Sequence, residues 1–129
     1  MYHIFAVSDA TGTTSERVLR AALSQFDTSL ITVARYGGVR TAEQVSDIVH
    51  EAELKNGFIV HTFVSEELRR VVLKEGRDHN VTTVDLMGPL LARLAELLST
   101  PPRSEPGLFD PFDPSNLQRI DAIDFTVRH

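Results

Sequence analysis

The sequence contains no cysteine and no tryptophan. Without thiols it can form neither a disulfide framework nor a thiolate metal site, and nothing in it calls for an oxidising compartment. No apolar stretch reaches the roughly 20 residues needed to cross a bilayer. The opening Met1-Tyr2-His3-Ile4-Phe5-Ala6-Val7-Ser8 has neither the basic leader nor the long apolar run of a signal peptide. A cytoplasmic protein that does not engage a membrane is therefore expected. Positive charge is also scarce: the formal net charge is -5, which disfavours broad attraction to nucleic acid or anionic lipid. The histidines, His3, His50, His61, His79 and His129, show no close metal-ligand spacing, and no nucleophile motif with a positioned base is visible. No metal site is expected, and no catalytic residue can be assigned.

What remains is 129 residues of which 42% are hydrophobic, enough to bury about two-thirds of the unfolded surface in one compact domain. Residues 2–7 form an apolar and aromatic run that ends in the polar turn 8–14, and so read as a strand feeding a helix. Thr13 and Glu16 have capping-box spacing, and Val18, Leu19, Ala22, Leu23 and Phe26 recur along one helical stripe. A second β-rich run, 30–34, is broken by Gly37-Gly38 before Thr41 and Gln44 offer a second capping pair for a helix over 41–55. Residues 57–64 read as a third strand, with Ser65 suited to cap the helix after it. A fourth strand is expected over 81–86, followed by a helix opened by Gly88-Pro89 and carrying Leu90, Leu91, Leu94, Leu97 and Leu98, a stripe expected to be core.

Strands that alternate with helices in this way favour a three-layer α/β, Rossmann-like domain over 1–99, with about four strands in a mainly parallel sheet. Residues 100–114 are rich in proline and read as an extended linker, while 115–129 regain helical spacing at Leu117, Ile120, Ile123 and Val127 and read as a C-terminal helix.

In an open parallel sheet, ligands bind beyond the carboxyl ends of the strands, where loops converge and helix N-termini present free amides. That edge gathers Ser8, Asp9, Thr11, Gly12 and Thr13 after the first strand, Arg35 and Arg40 after the second, Thr62 and Ser65 after the third, and Asp85 after the fourth. The hydroxyl-rich loop at 8–14 could cradle an anion, although it lacks the lysine of a Walker A loop and the glycine spacing of a dinucleotide fingerprint, and an ordinary capped turn fits it as well. Asp85 could act as a base or bind a cation, or bond to neighbouring loop amides. Arg35 and Arg40 read first as solvated surface charges, and His61 as a packed, hydrogen-bonded strand residue.

Four segments carry a more specific signal when taken in order. They are Val7-Ser8-Asp9-Ala10-Thr11-Gly12-Thr13-Thr14-Ser15-Glu16, the His61-Thr62 strand end, Asp85-Leu86-Met87-Gly88-Pro89-Leu90-Leu91, and the closing stretch from Arg119 through Ile120-Asp121-Ala122-Ile123-Asp124-Phe125-Thr126-Val127 to His129. Together they resemble the N-terminal half of the family of regulatory proteins that act on pyruvate,phosphate dikinase or phosphoenolpyruvate synthase. The resemblance implies a bifunctional enzyme: an ADP-dependent kinase that phosphorylates a threonine of the target, and a phosphorylase that removes it with inorganic phosphate to give pyrophosphate. ADP and inorganic phosphate would serve the intact protein. In that family a lysine-containing, glycine-rich phosphate loop follows the position of His129, so no cofactor is expected to bind this chain tightly and the chain alone is expected to be inactive.

Ser8, Asp9, Thr11, Gly12, Thr13 and Asp85 would then contribute to substrate or anion recognition in the cleft between halves. Two other readings compete. One is a stand-alone α/β module that holds a small anion, and the other is a self-association domain that forms homodimers through exposed apolar surface.

Overall fold

The computed structural model describes residues 2–26 and 30–106 of the chain. Strand and helix alternate without interruption: β1 (Tyr2–Val7), α1 (Thr13–Leu23), β2 (Ile31–Tyr36), α2 (Ala42–Leu54), β3 (Phe58–His61), α3 (Glu66–Asp78), β4 (Thr83–Asp85) and α4 (Gly88–Leu98). The four strands form one parallel sheet in the order β2-β1-β3-β4. The α/β, Rossmann-like class read from the alternation is the fold observed.

β1 is central, and its period of two divides the core in two. Phe5 and Val7 face α2 and α3 and pack with Val45, Val49, Ile59, Phe63, Leu68 and Val72. Ile4 and Ala6 face the other way, toward Leu19 of α1 and Val60. Helices on both faces bury both sides of β1, which explains its near-continuous apolar sequence.

Local signals account for most boundaries. Thr41 and Gln44 form the expected capping box: the Thr41 hydroxyl accepts from the Gln44 amide while the Gln44 side chain accepts from the Thr41 amide. The Ser65 hydroxyl caps α3 by accepting from the Leu68 amide. α2 and α3 both end on an asparagine with left-handed backbone, Asn56 and Asn80, and the next amide, of Gly57 or Val81, reaches back to Ala52 or Gly76 in a Schellman closure.

The expected capping pair at Thr13 and Glu16 does not form. Gly12, at φ +84°, takes the N-cap position of α1, without a side-chain cap, and Glu16 pairs instead with Arg20 and Arg35. The leucine stripe of α4 is not core either. No residue of α4 is buried, and Leu90, Leu94, Leu97 and Leu98 are exposed. Beyond α4, residues 100–105 run without helix or strand. The remainder of the linker expected over 100–114, from 107 on, and the helix expected over 115–129 lie outside the described residues.

Candidate functional site

The strand order reverses direction beside β1: one crossover leads from β1 outward to β2, and the next returns the chain to β3 on the other side. The loops leaving β1 and β3 must therefore diverge above the sheet and leave a crevice at their carboxyl ends. A cavity of about 500 Å³ lies there. One wall is the loop of Ser8, Asp9, Thr11 and Gly12 with Thr14; the floor has Thr62 and Val64; the facing wall is Met87, Leu91, Leu94, Ala95 and Leu98, closed by residues 100–105. The cavity is thus polar on the β1 side and apolar on the α4 side.

The β1 wall is built from buried polar groups. Ser8 and Asp9 are 3% and 0% exposed, so each must find partners inside the protein. The Ser8 hydroxyl accepts from the Ala10 amide at 2.9 Å, while its backbone bonds to Tyr36 and Val39. The Asp9 carboxylate accepts from the amides of Val64, at 3.1 Å, and Ser65, at 2.9 Å, at the N-terminus of α3. A negative charge there is favourable, because free amides and the helix dipole converge on it. The Asp9 carbonyl accepts from the Arg40 guanidinium. Asp9 therefore welds the loop after β1 to the loop after β3, and its charge is satisfied internally.

Close backbone approach explains the glycines of this wall. A Cβ on Gly37 would lie 2.5 Å from the Thr11 carbonyl oxygen, so the turn after β2 can pass under the loop only without a side chain. At Gly12 the left-handed backbone aims the start of α1, and a Cβ would meet Arg35 at 2.9 Å. The Thr11 hydroxyl is exposed and donates to that of Thr13.

The structure thus brings Ser8, Asp9, Thr11 and Gly12 to one cavity, with Thr62, and leaves Thr13 and Asp85 off its lining. Asp85 takes the role of a loop tie: its Oδ1 accepts from the amides of Met87 and Gly88 at 2.9 and 2.7 Å and starts α4. Arg35 and Arg40, read first as solvated charges, have defined partners in Glu16 and the Asp9 carbonyl.

His61 is packed, as expected, and its ring lies 5.2 Å from that of Phe63, but its Nδ1 is buried without a hydrogen-bond partner. Burial pushes its pKa down to about 4, helped by Arg69 and opposed by Asp85 and Asp9, so the ring is neutral near pH 7. Farther off, burial and the hydrogen bond to Glu51 raise Tyr36 to about 12.

Sequence reasoning missed the apolar wall and Arg69, whose guanidinium holds the carbonyls of Phe63 and Val64 at 3.0 and 2.9 Å. The available signal was Arg69 lying one turn after the Ser65 cap, which points it back at the strand end. Among the described residues no group of three or more His, Asp or Glu is placed to hold a metal ion, and no helix is long and apolar enough to cross a membrane.

A parallel α/β sheet with a crevice at its switch point is the arrangement in which open α/β domains commonly hold ligands at the strand ends. The chain belongs to the kinase/pyrophosphorylase family, whose model matches residues 4–129. Among its relatives, the pyruvate, phosphate dikinase regulatory protein of Geobacter metallireducens is 38% identical over 129 residues, covering 100% of this chain and 48% of that protein. Proteins of the same name from Citrifermentans bemidjiense and Chloroflexus aurantiacus are 41% and 36% identical, over 99% and 98% of this chain and 47% and 45% of theirs. The chain spans about half the length of these curated relatives.

Proposed function

We propose that this chain is the target-recognition half of a regulatory serine/threonine kinase and phosphate-dependent phosphorylase. The intact protein moves a phosphoryl group from ADP to a threonine of pyruvate,phosphate dikinase or phosphoenolpyruvate synthase, and removes it onto inorganic phosphate as pyrophosphate. The observation that carries this reading is the two-sided cavity at the switch point, in a chain whose relatives are named for a regulatory role toward the dikinase. A peptide carrying a hydroxyl residue needs polar partners for its backbone and an apolar seat for its neighbours, and the cavity offers one on each wall. Thr11 and Thr14 face the acceptor segment, Ser8 and Asp9 hold their loop in shape, and Leu91 and Leu94 seat flanking apolar side chains.

A stand-alone anion-binding module has less support. Arg35, Arg40 and Arg69 near the strand ends are engaged with Glu16, the Asp9 carbonyl and the Phe63 and Val64 carbonyls, which leaves Arg103 as the one arginine on the cavity lining. Phosphoryl transfer depends on positioning and on charge stabilisation around the phosphates, which in this reading are supplied by the remaining half of the protein.

The test is ADP-dependent labelling of purified dikinase and synthase by this chain, and by the same chain extended to the length of its relatives. We expect labelling of one target by the extended protein alone. Thr11→Arg in that protein should then raise KM for the target at least tenfold with a smaller change in kcat, because it fills the cavity without touching the phosphates. Absence of transfer to either target by the extended protein would overturn the assignment.

A further inference from the structure

The fold leaves two polar features of the cavity without a partner. Thr62 stands on the floor, 5% exposed. Its amide donates to the Val7 carbonyl, but its hydroxyl has no partner among the described residues and opens into the cavity. A polar side chain so nearly sealed from solvent ordinarily finds a hydrogen bond, so this position calls for a ligand atom that supplies one. On the β1 wall, α1 begins at Gly12 without a side-chain cap, and the amides of Thr14 and Ser15 have no carbonyl of their own helix to reach. Gly12 and Thr14 lie on the lining, so the positive end of the α1 dipole meets the same space as the Thr62 hydroxyl.

Charge narrows what fits between them. Arg103, on the segment that closes the cavity, is exposed and has neither an ion pair nor a hydrogen bond among the described residues. A guanidinium, the amides of an uncapped helix and a hydroxyl all donate, and the oxygens of a phosphoryl group accept from all three. Two carboxylates share the lining: Asp9 is satisfied by the amides of Val64 and Ser65, and Glu105 is exposed two residues after Arg103. One arginine against two carboxylates makes a poor trap for a free anion. A phosphoryl group carried on a peptide differs, because the leucines of α4 seat the segment and the donors have only to hold the phosphate.

We propose that the cavity takes the target threonine in its phosphorylated form, with the phosphoryl oxygens held by Arg103, the Thr62 hydroxyl and the first-turn amides of α1. Arg103 then separates the phosphorylated target from the unmodified one. The inference rests on the reading of this cavity as the target-recognition site, and adds which form of the target its polar groups select.

Steady-state kinetics of the extended protein, with whichever target it labels from ADP, test it. Arg103→Gln should raise KM for the phosphorylated target in the pyrophosphate-forming reaction by about tenfold, and KM for the unmodified target in the ADP-dependent reaction by much less. Arg103→Lys should recover part of the loss, since an ammonium keeps the charge but not the fork. Thr62→Val, which removes the hydroxyl at nearly constant shape, should move the ratio of the two constants the same way by about threefold. Arg93→Gln on α4 removes the same charge outside the lining and should move neither constant. Arg103 is exposed and tied to nothing in the fold, so its variants should keep the far-UV circular dichroism of the parent. Equal rises in both constants, or no rise for the phosphorylated target, overturn the inference and leave the reading of the site standing. A rise in KM for inorganic phosphate alone assigns Arg103 to the free anion and overturns it too. Absence of ADP-dependent labelling by the unsubstituted extended protein overturns the reading itself, and the inference with it.

Discussion

On one wall of the cavity nearly every turn of backbone is tied to a different element, whereas the facing wall is tied mostly to its own chain neighbours. The loop after β1 reaches β2 through Ser8, α3 through the Asp9 carboxylate and the turn at Arg40 through the Asp9 carbonyl. α4 is held at its start by Asp85, three residues before Gly88, and keeps no buried side chain. Buried polar groups with partners far along the chain fix geometry, because moving either partner leaves a desolvated group unpaired. A helix with an open apolar face can shift by small rotations at little cost, so one wall sets the shape of the site and the other can adapt to what enters.

The largest effect should come from cutting the tied wall at Asp9. Asp9→Ala removes the acceptor of the Val64 and Ser65 amides and leaves both donors facing a cavity. We expect a loss of about 3 kcal/mol in urea unfolding, with Asp9→Asn recovering part of it through its remaining carbonyl oxygen. A loss below about 1 kcal/mol would mean that the two walls are held equally loosely, and the contrast would be gone.

His61 sharpens the comparison through pH. Its folded pKa, about 4, lies below the ordinary value of 6.5, so the unfolded chain takes up a proton that the folded chain refuses. Stability from this group is complete above pH 6.5 and is lost as pH falls toward 4, by about 3 kcal/mol over that window. His61→Gln should flatten that part of the stability profile while other acid-titrating groups leave theirs in place. An unchanged profile would show that His61 is charged or solvated, and that the strand-end floor is wetter than its 3% exposure indicates.

Features set by near neighbours in sequence were legible. Apolar, β-rich runs and helical spacing placed the four strands and four helices of the described residues, and the Thr41 and Gln44 box and the Ser65 cap needed only residues three apart. Features set by distant partners were not. Thr13 and Glu16 have the same spacing as Thr41 and Gln44, yet Gly12 adopts a left-handed turn and Glu16 turns to Arg35, a partner that local spacing cannot reveal. Asp9 was legible as a loop carboxylate, but not as the tie to amides 55 and 56 positions later. The α4 stripe shows where a helix is apolar and says nothing of what covers it, which is why an exposed face was read as core.

The smallest expected effect separates the walls most directly. Asp85→Ala removes the side chain that accepts from the Met87 and Gly88 amides, and loss of such a cap costs about 1 kcal/mol. If α4 is a weakly coupled element, that loss appears locally: amide exchange at Leu91 and Leu94 should speed up by about fivefold, while Phe5 and Ile59 in the central strands keep their protection. If the substitution instead lowers global stability as much as Asp9→Ala, α4 unfolds only together with the sheet. The adaptable wall would then be as fixed as the tied one, and an occupant of the cavity would have to fit the helix as it stands.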